Sequence, residues 1–102
     1  MEFKERVFRI VKKMPKGRVS TYAEVGRALG TRGFRAVGNA LNKSPGIKKG
    51  VPCHRVVRSD GKVGGFALGT TRKIEMLKSE GIGIINGKVD LGKYFYRLEK
   101  IL

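Results

Sequence analysis

The sequence predicts a mainly α-helical single domain with short strands, organised as a winged helix-turn-helix. Three observations support that class. A chain of 102 residues, 40% of them apolar, has room for one modest hydrophobic core and no second unit. Two short segments with helical spacing of apolar residues are separated by a tight glycine-containing turn, Gly30-Thr31-Arg32-Gly33. Beyond Val51 the chain breaks into β-branched pairs between glycine-rich turns, with one further helical segment.

Each element follows from its residues. From Glu2 to Met14, the residues Phe3, Val7, Ile10, Val11 and Met14 recur at helical spacing among Lys and Arg, and Pro15-Lys16-Gly17 ends the run. Ser20-Thr21 offers an N-cap for a helix over 22–29, Glu24 stands at capping-box spacing from Thr21, and Gly30 is the expected C-terminal stop. The partner helix runs from Phe34 to about Lys43 with Val37, Ala40 and Leu41 inward. Its other face is small or polar, and Gly38 costs about 1 kcal/mol inside a helix, so something approaches closely there: either another helix or a DNA groove. Pro52 is expected to introduce a rigid turn before Val56-Val57, Ser59 to Lys62 a second turn, and Gly64 to Gly69 a loop. Thr70 or Thr71 is expected to cap a helix over 72–79 with Ile74, Met76 and Leu77 inward. Ile84-Ile85, an Asn86-Gly87 turn and an amphipathic piece around Tyr94 to Leu102 complete the chain.

Composition restricts the function. The 23 Lys and Arg against 8 Asp and Glu give a net charge of +15, and so basic a small surface points to a polyanion, nucleic acid before others. The single cysteine excludes an internal disulfide and a cysteine-rich zinc site, which suits a reducing, cytoplasmic compartment. No apolar run approaches the roughly 18 residues of a membrane span, and no phosphate loop, paired hydrolase carboxylates or metal cluster is present.

That cysteine stands beside the only histidine, in Val51-Pro52-Cys53-His54-Arg55-Val56-Val57. A thiol of ordinary pKa, about 8.5, is mostly protonated at neutral pH, so a nucleophilic Cys53 needs a base. His54 can serve, directly or through one water, if a carboxylate holds its far nitrogen. In an extended strand adjacent side chains point to opposite faces, so the pair can cooperate only where the backbone turns, as Pro52 allows. Glu80, at the end of a helix that folds back on the core, is the preferred carboxylate; spacing alone leaves Glu24, Glu75 and Asp60 open. The alternative is a core cysteine beside a surface histidine.

The motifs GRVSTYAEVG (17–26), RAVGNAL (35–41), VPCHRVVRSDGKVGGF (51–66) and KIEMLKSEG (73–81) resemble, in order and spacing, the C-terminal domain of the O6-alkylguanine-DNA alkyltransferases, the methylated-DNA-protein-cysteine methyltransferases. The resemblance covers nearly the whole chain. It implies DNA repair by stoichiometric transfer of an alkyl group from guanine O6 to Cys53, with no cofactor and no turnover, after the base is flipped out of double-stranded DNA. His54 then matches the water-linked base and Glu80 the carboxylate that orients it. Tyr22 matches the tyrosine that turns the target nucleotide's phosphate and contacts the extruded base, and Arg35 the finger that fills the gap left in the stack. The family's recognition helix enters the minor groove, which gives Ala36, Gly38 and Ala40 a reason to be small. Ser20, Thr21, Ala23, Thr31, Gly38 and Ser59 match DNA-backbone contacts. Val56, Phe66 and Ala67 match the guanine pocket, where the carbonyls of Cys53 and Val56 accept from the guanine amine.

The sequence departs from the family in three places. The asparagine that braces the cysteine turn aligns with Ser44, in a loop one residue longer, so the brace is Ser44, Asn42 or Asn39. Phe66 and Ala67 lack the hydroxyls of the tyrosine and serine often found there. The usual N-terminal domain has no counterpart, so residues 1–102 are expected to form one alkyltransferase-type domain, a monomer without a metal site, with a separate protein partner as an open alternative. Short alkyltransferase-like proteins bind alkylated DNA without repairing it, but carry another residue in place of the cysteine. The expectation here is transfer, with non-catalytic lesion recognition as the alternative and a basic winged-helix module with a structural cysteine as the third.

Overall fold

The computed structural model describes residues 2–43 and 50–99. Helix α1 (Phe3–Val11) buries Val7, Phe8, Ile10 and Val11. It ends one turn earlier than its apolar spacing predicts. The residue before a proline is pushed out of the helical region, and the chain leaves the helix with Lys13 N–H on the Ile10 carbonyl and Met14 N–H on that of Val11. Met14 still enters the core.

The helix-turn-helix forms as the sequence predicts, from α2 (Tyr22–Leu29) and α3 (Phe34–Lys43). Thr21 Oγ1 accepts from Glu24 N–H at 3.0 Å, and Gly30 closes α2 at φ 76°. Only half of the capping box exists, because the Glu24 carboxylate turns away to Arg27 Nε (2.7 Å) and the Leu98 amide (2.7 Å). Gly26 lets the two helices close: a Cβ there would stand 2.9 Å from the Thr31 carbonyl and 2.9 Å from the Phe34 ring. The short α2–α3 turn therefore depends on a missing side chain.

Ser20-Thr21, expected only as a cap, is also strand β1, parallel to β2 (Val56–Val57) in the register Ser20 to Val56. Val19 bridges Phe95, with Val19 N–H on the Tyr94 carbonyl (2.9 Å) and Tyr96 N–H on that of Val19 (2.7 Å). Helix α4 (Thr70–Ser79) starts earlier than expected, and Gly69 rather than a threonine occupies its N-cap. Thr70 Oγ1 instead donates to the Gly64 carbonyl at 3.5 Å. Strands β3 (Ile84–Ile85) and β4 (Lys88–Val89) form a hairpin across Asn86-Gly87, both at positive φ as a two-residue turn requires. Of the amphipathic piece around Tyr94 to Leu102, Tyr94 closes the short α5 (Leu91–Tyr94), residues 96–99 have no regular secondary structure, and residues 100–102 lie outside the described residues.

One apolar cluster joins α1, α2 and α3 to Val51, Cys53, Val56, Phe66 and Leu98. A smaller one, from Val19 and Val57 to Leu77, Ile82 and Val89, supports the hairpin. Among the described residues no helix is long and apolar enough to cross a membrane.

Candidate functional site

The cysteine turn is built by Pro52. With φ −79° and ψ 65° it forms an inverse γ-turn in which Cys53 N–H meets the Val51 carbonyl at 2.8 Å, and a 3-10 turn over Cys53–Arg55 follows directly. The backbone at the pair is thus a turn and not an extended strand. Both are buried, Cys53 at 3% exposure and His54 at 4%.

Glu80, immediately after α4, reaches this turn and resolves the choice among carboxylates. Its Oε2 lies 2.9 Å from His54 Nε2, while Arg55 holds both oxygens, Nε to Oε1 at 2.9 Å and Nη2 to Oε2 at 2.8 Å. Arg55 also donates to the Met14 carbonyl at 2.8 Å. The other three carboxylates lie elsewhere: Glu24 on Arg27, Glu75 3.9 Å from Arg72, and Asp60 3.6 Å from Arg58. Burial pulls the Glu80 carboxyl up, but the Arg55 and His54 hydrogen bonds outweigh it and hold the group below the usual carboxylate value. An ionised Glu80 can only accept, so His54 Nε2 carries the proton. Nδ1 is then a bare acceptor, buried and without a hydrogen-bond partner among the described residues. Burial also lowers the His54 pKa, against the pull of Glu80, so the ring is neutral. Burial pushes the Cys53 thiol up to about 11, opposed by its own backbone and by the charge of Lys73.

Lys73 was not anticipated. Its side chain is 0% exposed, with Nζ donating to the Val56 carbonyl (2.7 Å), the Gly65 carbonyl (3.1 Å) and the Tyr22 hydroxyl (3.4 Å). Burial drives its pKa down to about 7, with Cys53 pulling the other way. The available signal was position: Lys73 and Leu77 are four residues apart on one face of α4. Because Lys73 occupies the Val56 carbonyl, that acceptor is shared and not free for a base alone.

The remaining residues fall into two groups. Tyr22, Ala23, Arg35, Gly38 and Ser59 line one open cavity of about 820 Å³, together with Asn42. Cys53, His54, Val56 and Phe66 are buried, with the Phe66 ring edge-on to His54 at 6.5 Å. Tyr22 joins the groups: its hydroxyl donates to the Gly65 carbonyl at 3.4 Å, and burial raises its pKa against a hydrogen bond from Asn42. Of the candidate braces, Asn42 lines the cavity with Tyr22, while Asn39 is exposed. Ser44 lies outside the described residues. A Cβ on Gly38 would touch only the Asn42 amide at 4.0 Å, so helix packing is not what keeps this position small. Ser20 is fully buried with no partner for its hydroxyl among the described residues, Thr21 Oγ1 is spent on its cap, and Thr31 Oγ1 accepts from Gly33 N–H at 3.0 Å. Ala36 and Ala67 are exposed and lie outside the cavity wall. Among the described residues no cluster of three or more His, Cys, Asp or Glu could hold a metal.

Residues 2–82 match the family model described as the DNA-binding domain of 6-O-methylguanine DNA methyltransferase. A methylated-DNA–protein-cysteine methyltransferase of Saccharolobus islandicus is 44% identical over 82 residues, 80% of this chain and 52% of that protein. A bifunctional methyltransferase/endonuclease of Picrophilus torridus is 37% identical over 86% of this chain and 30% of its own length. The chain thus spans about half or less of these relatives. Among solved structures, S. pombe Atl1 in complex with damaged DNA containing O6-carboxymethylguanine superposes with a TM-score of 0.83 at 32% identity, covering 93% of this chain and 94% of that one. The O6-methylguanine-DNA methyltransferase of Pyrococcus kodakaraensis superposes with a TM-score of 0.69 at 36% identity, covering 80% of this chain and 47% of that one. By its sequence over residues 2–82 and by its fold, the chain belongs to the O6-methylguanine DNA methyltransferase family, of which it carries the DNA-binding domain.

Proposed function

We propose that this chain binds double-stranded DNA, takes an O6-alkylguanine out of the stack and transfers the alkyl group to Cys53 in a single irreversible event. The observation that supports this most directly is the Cys53, His54 and Glu80 arrangement, with the Arg55–Glu80 pair fixing the histidine tautomer. The Cys53 proton passes to His54 Nδ1, directly or through one water, and Glu80 stabilises the imidazolium that forms. The sulfur then attacks the alkyl carbon: an S–C bond forms, the C–O6 bond breaks, and guanine leaves with the electron pair and takes up a proton. No cofactor enters that balance. The raised thiol pKa keeps Cys53 unreactive until His54 acts on it.

The cavity supplies the DNA side of the reading. Tyr22 lines the open cavity and packs against the cluster that holds Cys53, and Arg35 on α3 is exposed and able to enter the gap left by an extruded base. Gly38, small without a packing reason, lets the helix backbone approach the sugars of a minor groove.

A second reading is recognition without transfer, which the likeness in fold to S. pombe Atl1, at a TM-score of 0.83, favours. The thiol at position 53 favours transfer. Intact mass measured after incubation with an O6-methylguanine duplex decides between them. Transfer adds one methyl group on the Cys53 peptide, and Cys53→Ala binds the same duplex unmodified. A wild-type protein that holds the duplex at its original mass establishes the second reading.

A further inference from the structure

Beside the cavity, the chain doubles back at residues 58–62. Arg58 N–H meets the Lys62 carbonyl at 2.8 Å and Gly61 N–H the Arg58 carbonyl at 2.9 Å, which sets Arg58 opposite Lys62. Lys62 in turn bridges Lys88 of the hairpin in antiparallel fashion, with Val63 N–H on the Gly87 carbonyl (3.1 Å) and Val89 N–H on that of Gly61 (2.8 Å). Those bonds flank the pair, so Lys62 and Lys88 occupy the non-hydrogen-bonded type of position, where side chains stand closest and on one face.

Like charges directly opposite one another destabilise a sheet. Among the described residues no carboxylate oxygen lies within 4.0 Å of either ammonium. Asp60, the acidic group at this turn, spends one oxygen on the Lys62 amide (3.0 Å) and the other 3.6 Å from Arg58. The turn is also pressed tightly onto β4: a Cβ on Gly61, at φ 89°, would stand 2.8 Å from the Val89 carbonyl. The three cations are therefore held in a fixed row by backbone. At the strand spacing of a sheet the row spans about 10 Å, starting at Arg58 in the cavity wall and leading away from it.

We propose that Arg58, Lys62 and Lys88 form a second arm of the DNA interface, gripping successive phosphates of the duplex that flanks the extruded nucleotide. The proposal rests on the DNA-binding part of the reading above. A polyanion supplies the neutralisation that the protein itself withholds from the paired lysines, and about 10 Å is the scale of a few phosphates along one strand. Such contacts carry no base information, so the arm adds affinity for any sequence and for undamaged DNA alike.

The experiment is the salt dependence of duplex binding for Lys62→Gln/Lys88→Gln, with Lys12→Gln/Lys13→Gln, outside the cavity wall, as the charge-matched control. Each lost phosphate contact removes about 0.9 from the slope of log K against log salt, so the double variant should lose about 1.8 and each single variant about 0.9. Affinity for plain and for O6-methylguanine duplexes should fall by the same factor, and the melting temperature should stay level or rise as the opposed charges go. A slope change no larger than that of the control overturns the proposal. Methylation of Cys53, followed by mass in parallel, separates the two readings: a lost slope without methylation leaves the arm standing and transfer refuted, and methylation with an unchanged slope does the reverse.

Discussion

Two buried groups, Cys53 and Lys73, control how stability responds to pH, and in opposite directions. Lys73 holds its folded pKa at about 7, below the roughly 10.4 of an unfolded lysine. Between those values the unfolded chain binds more protons, so stability rises with pH across that window. The Cys53 thiol is raised to about 11. Its contribution is complete below the unfolded value of about 8.5 and is lost as pH climbs toward 11. The melting temperature of the wild type should therefore rise from pH ~7 to ~8.5, where Lys73 acts alone, and level off above it as the two slopes oppose. Lys73→Met should abolish the rise; a wild-type protein whose melting temperature is flat over that interval would show that Lys73 stays charged. Burial lowers the Lys73 pKa, and three acceptors at Nζ, the carbonyls of Val56 and Gly65 and the Tyr22 hydroxyl, satisfy its donors, which explains how a fully buried lysine is tolerated without a carboxylate.

At the scale of elements, the α2–α3 turn makes a sharper test than any exposed site. Replacing a helical glycine by alanine ordinarily adds about 1 kcal/mol of helix stability. At Gly26 the new Cβ would meet the Thr31 carbonyl at 2.9 Å, a backbone atom that cannot swing aside. Gly26→Ala should thus destabilise by about 1–3 kcal/mol, the cost of overpacking, seen as a lower urea midpoint. A midpoint at or above wild type would mean that the helices separate freely. Displacement of α3 would also move Arg35 and Gly38 relative to Tyr22, so duplex affinity should fall with stability.

The whole molecule carries +15 charges on 102 residues. Self-repulsion of that size opposes the compact state, and salt screens it over a Debye length of about 8 Å at 0.15 M. Raising sodium chloride from ~20 to ~200 mM should increase the melting temperature while weakening duplex binding, because the second effect is counterion release. A melting temperature that falls over the same range would show that attractive pairs such as Arg55–Glu80 outweigh the surface repulsion. The C-terminal segment belongs to this scale too. Leu98 is buried among the helices, its amide donates to Glu24, and its carbonyl accepts from Arg27 at 2.6 Å.

The sequence by itself determined the periodic helices, the Gly30 stop, the Asn86-Gly87 hairpin and the adjacency of thiol and imidazole, since these follow from local spacing and from the backbone preferences of glycine and proline. It also carried the family through four ordered motifs. Glu80 is already the preferred carboxylate in the sequence and the one the resemblance matches, but spacing leaves three others open; only the tertiary structure brings one of the four to His54, because that depends on where the end of α4 lands against the cysteine turn, a contact across 26 residues. Likewise Lys73 reads as a surface cation in a basic chain until α4 turns it inward onto the Val56 carbonyl, and Glu24 reads as a capping residue until Leu98 arrives from 74 residues away. Local propensity sets which elements form; burial and long-range partners set which of their charged groups face one another, and those determine the chemistry.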